Sequence, residues 1–167
     1  MYLSKLTISS PGKVIRDIEF HKGLNLIVDE TPENTTGTGN NVGKTTVLRL
    51  IDYCLGGDVD GIYRNPEDKH ENYALVKDFL TGNNVIVTLI LVDDLDTPSE
   101  KVVIERDFTM GRSSLIRING KDVTRKDFVT ELESAIFPKV KTETPSFRQI
   151  IAHNIRIDNL RLENTLK

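Results

Sequence analysis

The sequence predicts an α/β fold: a mixed core sheet carrying one amphipathic helix, joined to an antiparallel β-meander. Three observations lead there. An apolar run at residues 24–28 (LNLIV) passes through a polar loop into a stretch of helical periodicity. Three β-rich runs follow one another over residues 84–118, and Asn119-Gly120 supplies a tight-turn signal after the last. Two helical segments come after them.

In chain order, Leu3, Leu6 and Ile8 lie in a β-favouring run ended by Pro11-Gly12, and Ile15, Ile18 and Phe20 suggest a second strand. His21-Lys22-Gly23 turns the chain into LNLIV, which reads as a buried strand. Residues 29–41 are rich in Thr, Asn and Gly, a loop by composition. From Lys44 onward Val47, Leu48, Leu50, Ile51, Cys54 and Leu55 recur at helical spacings until Gly56-Gly57. Residues 58–72 are polar and read as irregular. The meander is NVIVTLILV, KVVIERDF and SLIRI, spanning about residues 84–120. Thr124 is a candidate cap for a helix over about 124–137, ended by Pro138, and Ser146 for one over about 146–157.

The chain has 167 residues, 38% hydrophobic and 28% charged, at net charge −3, which suits one ordinary globular domain and gives no global basic signature. Cys54 is the one cysteine, so neither an internal disulfide nor a cysteine-rich zinc site is available. No apolar run approaches a membrane span and the first residues alternate like a strand, so a cytoplasmic protein without a membrane partner is expected.

Residues 36–46, TGTGNNVGKTT, carry the chemistry. A strand that delivers the chain to a glycine-permissive turn lets backbone N–H groups converge on phosphate oxygens. The helix that follows adds its positive end. Here Thr38, Gly39 and Asn40 open the loop, and N–H groups of residues 41–46 (Asn41, Val42, Gly43, Lys44, Thr45, Thr46) would cradle the β-phosphate. Lys44 would bridge the β- and γ-phosphates, Thr45 would ligate Mg2+, and Thr46 would reach the α-phosphate. Two departures stand out: Thr38 occupies the usual first glycine, and an extra polar segment at 29–37 precedes the turn. Asn41 replaces another frequent glycine, a mild change because Asn tolerates the left-handed region.

MYLSKLTISS, IEFHKGLNLIV and NNVGKTTVLRLIDYCLGG together resemble the N-terminal head lobe of SMC-type and RecN-type ATPases of the ABC class. VVIERDF and GRSSLIRINGKDVT resemble the β-meander of the same lobe, so the resemblance covers most of residues 1–135. The insertion before NNVGKTT looks most like bacterial SMC-like ATPases of phage-defence operons. What the resemblance implies is a P-loop NTPase lobe using ATP and Mg2+. Its partners would be a C-terminal lobe of the same ATPase, reached through a coiled coil, and a second head in a homodimer. DNA would be the substrate of the dimer, with accessory subunits of a defence complex in the narrower branch. Residues 1–167 would be the first lobe only, their helical end leading toward the coiled coil.

The class also takes a glutamine from this lobe to Mg2+ and the attacking water. Gln149 is the only glutamine in the chain, and a helix-surface glutamine is the alternative. Arg16 sits where related heads carry a phosphate-touching arginine, with Lys13 as the other choice and a solvated charge as the plain one. LILVDD (residues 89–94) fits the string of a Walker B strand, but it leads straight into another strand. Asp93 and Asp94 therefore read as the acidic end of a hairpin; the alternative is a self-contained small NTPase that uses them. Arg112, Arg117, Lys121, Arg125 and Lys126 form either a DNA-facing patch or a solvated face. A non-catalytic interaction lobe is the remaining alternative, favoured by Thr38.

Overall fold

The computed structural model describes residues 1–28, 44–63, 73–109, 111–138 and 145–155, with only the backbone at Lys44, Asp60 and Arg112. Strands β1 (Tyr2–Ser10) and β2 (Lys13–Glu19) form a hairpin about Pro11-Gly12. Gly12 there takes a φ of +76°, which glycine alone adopts without strain. Helices α1 (Lys44–Cys54), α2 (Asp60–Tyr63) and α3 (Ala74–Gly82) follow. Then come β3 (Ile86–Val92), β4 (Lys101–Asp107), β5 (Ile116–Ile118) and β6 (Lys121–Asp122), and finally α4 (Phe128–Ile136) and α5 (Phe147–Asn154).

The strands join in one six-stranded sheet of order β2-β1-β3-β4-β5-β6, with every neighbouring pair antiparallel. Leu6, Val87, Leu89, Leu91, Val102, Ile104, Ile116 and Ile118 fill one face. α1 packs there on β3 and β4, and α4 on β5. The other face mixes apolar residues such as Ile90 and Val103 with ion pairs: Lys5 bridges to Asp17 at 2.7 Å, and Arg117 to Asp122 at 2.7 Å. This alternation is what a sheet with one wet side requires. At the β5–β6 turn Asn119 (φ +51°) and Gly120 (φ +78°) are both left-handed, as a two-residue hairpin loop of the primed type needs.

The expected mixed sheet with a separate meander is corrected among the described residues. The meander strands extend the sheet that β1 and β2 begin, because β3 pairs directly with β1. The strand expected at residues 24–28 is also corrected. These residues have no strand structure, and Leu24 is 83% exposed. Their composition suits a strand, but among the described residues no neighbouring backbone pairs with them. Three helices differ from expectation. Residues 58–63, expected irregular, include α2 with Val59, Ile62 and Tyr63 buried, and α3 went unforeseen. α4 starts later than expected, at Phe128, because residues 124–127 form a turn in which the Asp127 N–H donates to Thr124 Oγ1. Ser146 does cap α5, in a reciprocal capping box with Gln149.

Candidate nucleotide site

The two ends of α1 differ. At its start, Lys44 opens the helix, Thr45 and Thr46 are exposed, and the first turn carries no acidic residue. The helix dipole therefore presents its positive end without a carboxylate of that turn to cancel it. Lower down, Leu50, Ile51 and Cys54 bury one face against the sheet. Thr38, Gly39, Asn40, Asn41, Val42 and Gly43 lie outside the described residues, as does the Lys44 side chain.

The far end of α1 is sealed. Gly56 takes φ +92°, and the Gly57 N–H donates to Asp52 O at 2.8 Å. A Cβ on Gly57 would lie 2.4 Å from Asp52 Oδ2, so only glycine fits. Arg106, 5% exposed on β4, donates from Nη1 to Tyr53 O and to Gly57 O, the latter at 3.2 Å. Its guanidinium carbon lies 3.6 Å from the centroid of the Tyr53 ring and 4.8 Å from that of Phe128. Burial pulls this guanidinium below its ordinary pKa, and it stays charged at neutral pH. From α5, Arg148 donates to Asp52 Oδ1 at 2.9 Å and to Leu55 O at 2.7 Å, and Asp52 is 5% exposed. The Tyr53 hydroxyl donates to Asp107 O, and burial pushes its pKa up to about 12. Burial likewise pushes the Cys54 thiol up to about 12, which makes it a packed core group and not a nucleophile.

Sequence reasoning missed Asp52, Arg106 and Arg148. The signal for Arg106 was present: alternation along KVVIERDF puts Arg106 on the same side as Val102 and Ile104, hence inside. For Arg148 and Asp52 it was absent, since their meeting joins residues 96 apart in the chain.

Arg16 lies opposite Ile8 on edge strand β2, and Ile8 lies opposite Val87. Arg16 therefore shares the helix-bearing face, while Lys13 sits at the hairpin end opposite Ser10. Gln149 turns its carbonyl to the Ser146 N–H at 2.7 Å and stands beside the sealed end of α1, where Arg148 docks. Asp93 closes the β3–β4 connection. Its carboxylate accepts from the N–H groups of Ser99 and Glu100, both at 2.9 Å, and from the Ser99 hydroxyl. Those bonds, the Ser99 hydroxyl foremost, hold its pKa well below the usual carboxylate range. Asp94 caps the same loop by accepting from the Asp96 N–H at 2.8 Å, and Lys22 pairs with Asp94 and Asp96. Among the basic residues of the hairpin, Arg117 is engaged by Asp122. An open groove of about 730 Å³ runs beside it, lined in part by Gly111, Ser114, Thr124 and Arg125. Among the described residues no group of three or more His, Cys, Asp or Glu is placed to hold a metal, and no helix is long and apolar enough to cross a membrane.

No protein-family profile matches the sequence, and no curated protein matches it. Among solved structures, a chain from work on ATP-driven dimerisation and DNA-stimulated activation of SMC ATPases aligns with it. The TM-score is 0.51 at 22% identity, over 99% of this chain and 98% of that one. The fold is that of an SMC ATPase chain.

Proposed function

We propose that this chain is the ATP-binding lobe of an SMC-like ATPase with a P-loop at residues 38–46. The observation that carries the reading is the asymmetry of α1: one end is sealed into the core, and the other opens on Lys44 with Thr45 and Thr46 exposed and no acid in its first turn. A helix start so arranged, behind a Gly/Asn-rich segment, favours polyphosphate. In this reading Lys44 meets the β- and γ-phosphates and Thr45 holds Mg2+. Thr38, Gly39, Asn40, Asn41, Val42, Gly43 and Thr46 line the nucleotide. Arg16, on the helix-bearing face, reaches the phosphates from the side. Gln149, held in the Ser146 capping box next to Arg148 at the far end of α1, would have to shift by about the length of that helix to serve Mg2+ and the attacking water, so its place here is disfavoured.

Hydrolysis is proposed to need a C-terminal lobe and a second head. Asp93, the acid that a self-contained enzyme would use, already accepts three bonds within its own loop, which disfavours that alternative. The exposed apolar residues 24–28 give the second lobe a place to add strands. By analogy with the SMC ATPase of like fold, ATP would drive two heads together and DNA would stimulate the dimer. The long polar segment at 29–37 supports a setting in phage defence, with accessory subunits.

Calorimetric titration with a non-hydrolysable ATP analogue and Mg2+ tests the site. Saturable binding is expected for the 167-residue chain and a loss of more than about tenfold for Lys44→Ala, since one charge-assisted phosphate contact is worth that much. Absence of binding by the unaltered chain would favour a non-catalytic interaction lobe. Turnover by this chain alone, lost in Lys44→Ala, would refute the half-site reading.

A further inference from the structure

Arg106 is a buried cation whose hydrogen bonds go to carbonyls, Tyr53 O and Gly57 O, on either side of the α1 cap. Its Nε is buried with no hydrogen-bond partner among the described residues. Burying a guanidinium is costly, and leaving a donor unused makes it costlier. An apolar side chain of similar volume would fill the space at less cost. What only the arginine supplies is a flat group lying on the Tyr53 ring while one nitrogen grips two carbonyls. Arg148 grips the same helix end from α5 through Asp52 and Leu55 O. Eleven residues of helix make a stiff bar about 16 Å long, so a tilt at one end displaces the other.

We propose that Arg106 is a positioning residue of the nucleotide site: by fixing the far end of α1 on the sheet, it sets where the N–H groups of the near end meet the phosphates. The inference rests on the phosphate-site reading above. Two physical effects act together. The grip sets the height and tilt of the helix. The positive charge at the C-terminal end offsets the negative pole of the helix dipole, leaving the positive pole at the other end unopposed.

The test compares Arg106→Met and Arg106→Lys in the 167-residue chain by urea unfolding, by titration with the ATP analogue and Mg2+, and by amide hydrogen exchange without nucleotide. For Arg106→Met, affinity is expected to fall about tenfold, the scale of ordinary site-to-site coupling, with the chain still folded. Exchange should quicken at residues 48–54, whose N–H groups bond within the helix, more than at the sheet. Arg106→Lys keeps the charge and loses the flat two-carbonyl grip, so its affinity should fall as well. Unchanged affinity in both folded variants would overturn the proposal, as would full affinity in Arg106→Lys. If Arg106→Met does not fold, Arg106→Lys and the exchange pattern decide alone. If the unaltered chain fails to bind nucleotide, the site reading falls and this inference falls with it; if it binds and Lys44→Ala does not, only the positioning role is at stake.

Discussion

Two apolar runs of similar make-up meet opposite fates in this molecule. IVTLILV becomes β3, paired with β1 on one side and β4 on the other, with Val87, Leu89 and Leu91 buried. LNLIV, residues 24–28, stays unpaired among the described residues, with Leu26 71% and Val28 63% exposed. The second run is not simply loose at its root. Asn25 bonds the His21 N–H at 2.9 Å and carbonyl at 2.8 Å, and Lys22 is tied to Asp94 and Asp96. The difference teaches that a strand is a property of neighbours. β-Propensity measures fit to a pleated, half-buried surface, and that surface must be present before the fit counts.

The largest expected effect contrasts the two runs directly. Ile104 stands opposite Leu89 in the sheet and is fully buried. Ile104→Ala should cost about 2–5 kcal/mol, the range for emptying a core position. Leu26→Ala should stay within about 0.5 kcal/mol, as surface changes do. Urea unfolding of the two variants measures both, and equal losses would erase the contrast.

Next in size is the effect of supplying the missing neighbour. In a complex with the proposed C-terminal lobe, the amides of residues 24–28 should become protected from exchange. Leu26→Asp should then weaken that association by roughly ten- to a hundredfold, the equivalent of one large apolar side chain left unburied. Binding without protection at 24–28 would show that the partner docks elsewhere and that this run has some other cover.

This contrast also explains how much was legible in the sequence. β1, β2, β3, β4 and the Asn119-Gly120 turn follow from local periodicity and turn chemistry, which act within a few residues. So do α1 with its Gly56-Gly57 stop and the Ser146 cap of α5. What was not legible depends on distant encounters. LNLIV passes every local test for a strand and has no partner among the described residues. The mixed sheet was inferred from that strand, so it failed together with it. α3 was hidden because its apolar residues, Leu75, Val76 and Phe79, lie outward and leave only Leu80 buried. The start of α1 at Lys44 followed from the helical periodicity of residues 44–55. The sealed end, where Asp52 meets Arg148 across 96 residues, did not.

The smallest expected effect lies where β3 runs out, at Asp93. If β3 is a satisfied hairpin strand, this carboxylate is a loop clasp and not a catalytic acid. Its pKa is depressed in the folded chain by the Ser99 hydroxyl and the N–H groups of Glu100 and Ser99. A depressed carboxyl contributes stability that is complete above its unfolded value of about 3.9 and is lost as pH falls from there through the folded value. Asp93→Asn should therefore be slightly less stable at pH 7. Its stability should fall less steeply below about pH 4, and the two curves should converge in acid; the site is exposed, so the difference is modest. Urea midpoints across that pH range check this. ATP turnover by the assembled heads should be unchanged in Asp93→Asn. A collapse of turnover with nucleotide still bound would make Asp93 the acid that activates water, and β3 would then be a catalytic strand whose hairpin loop is borrowed for chemistry.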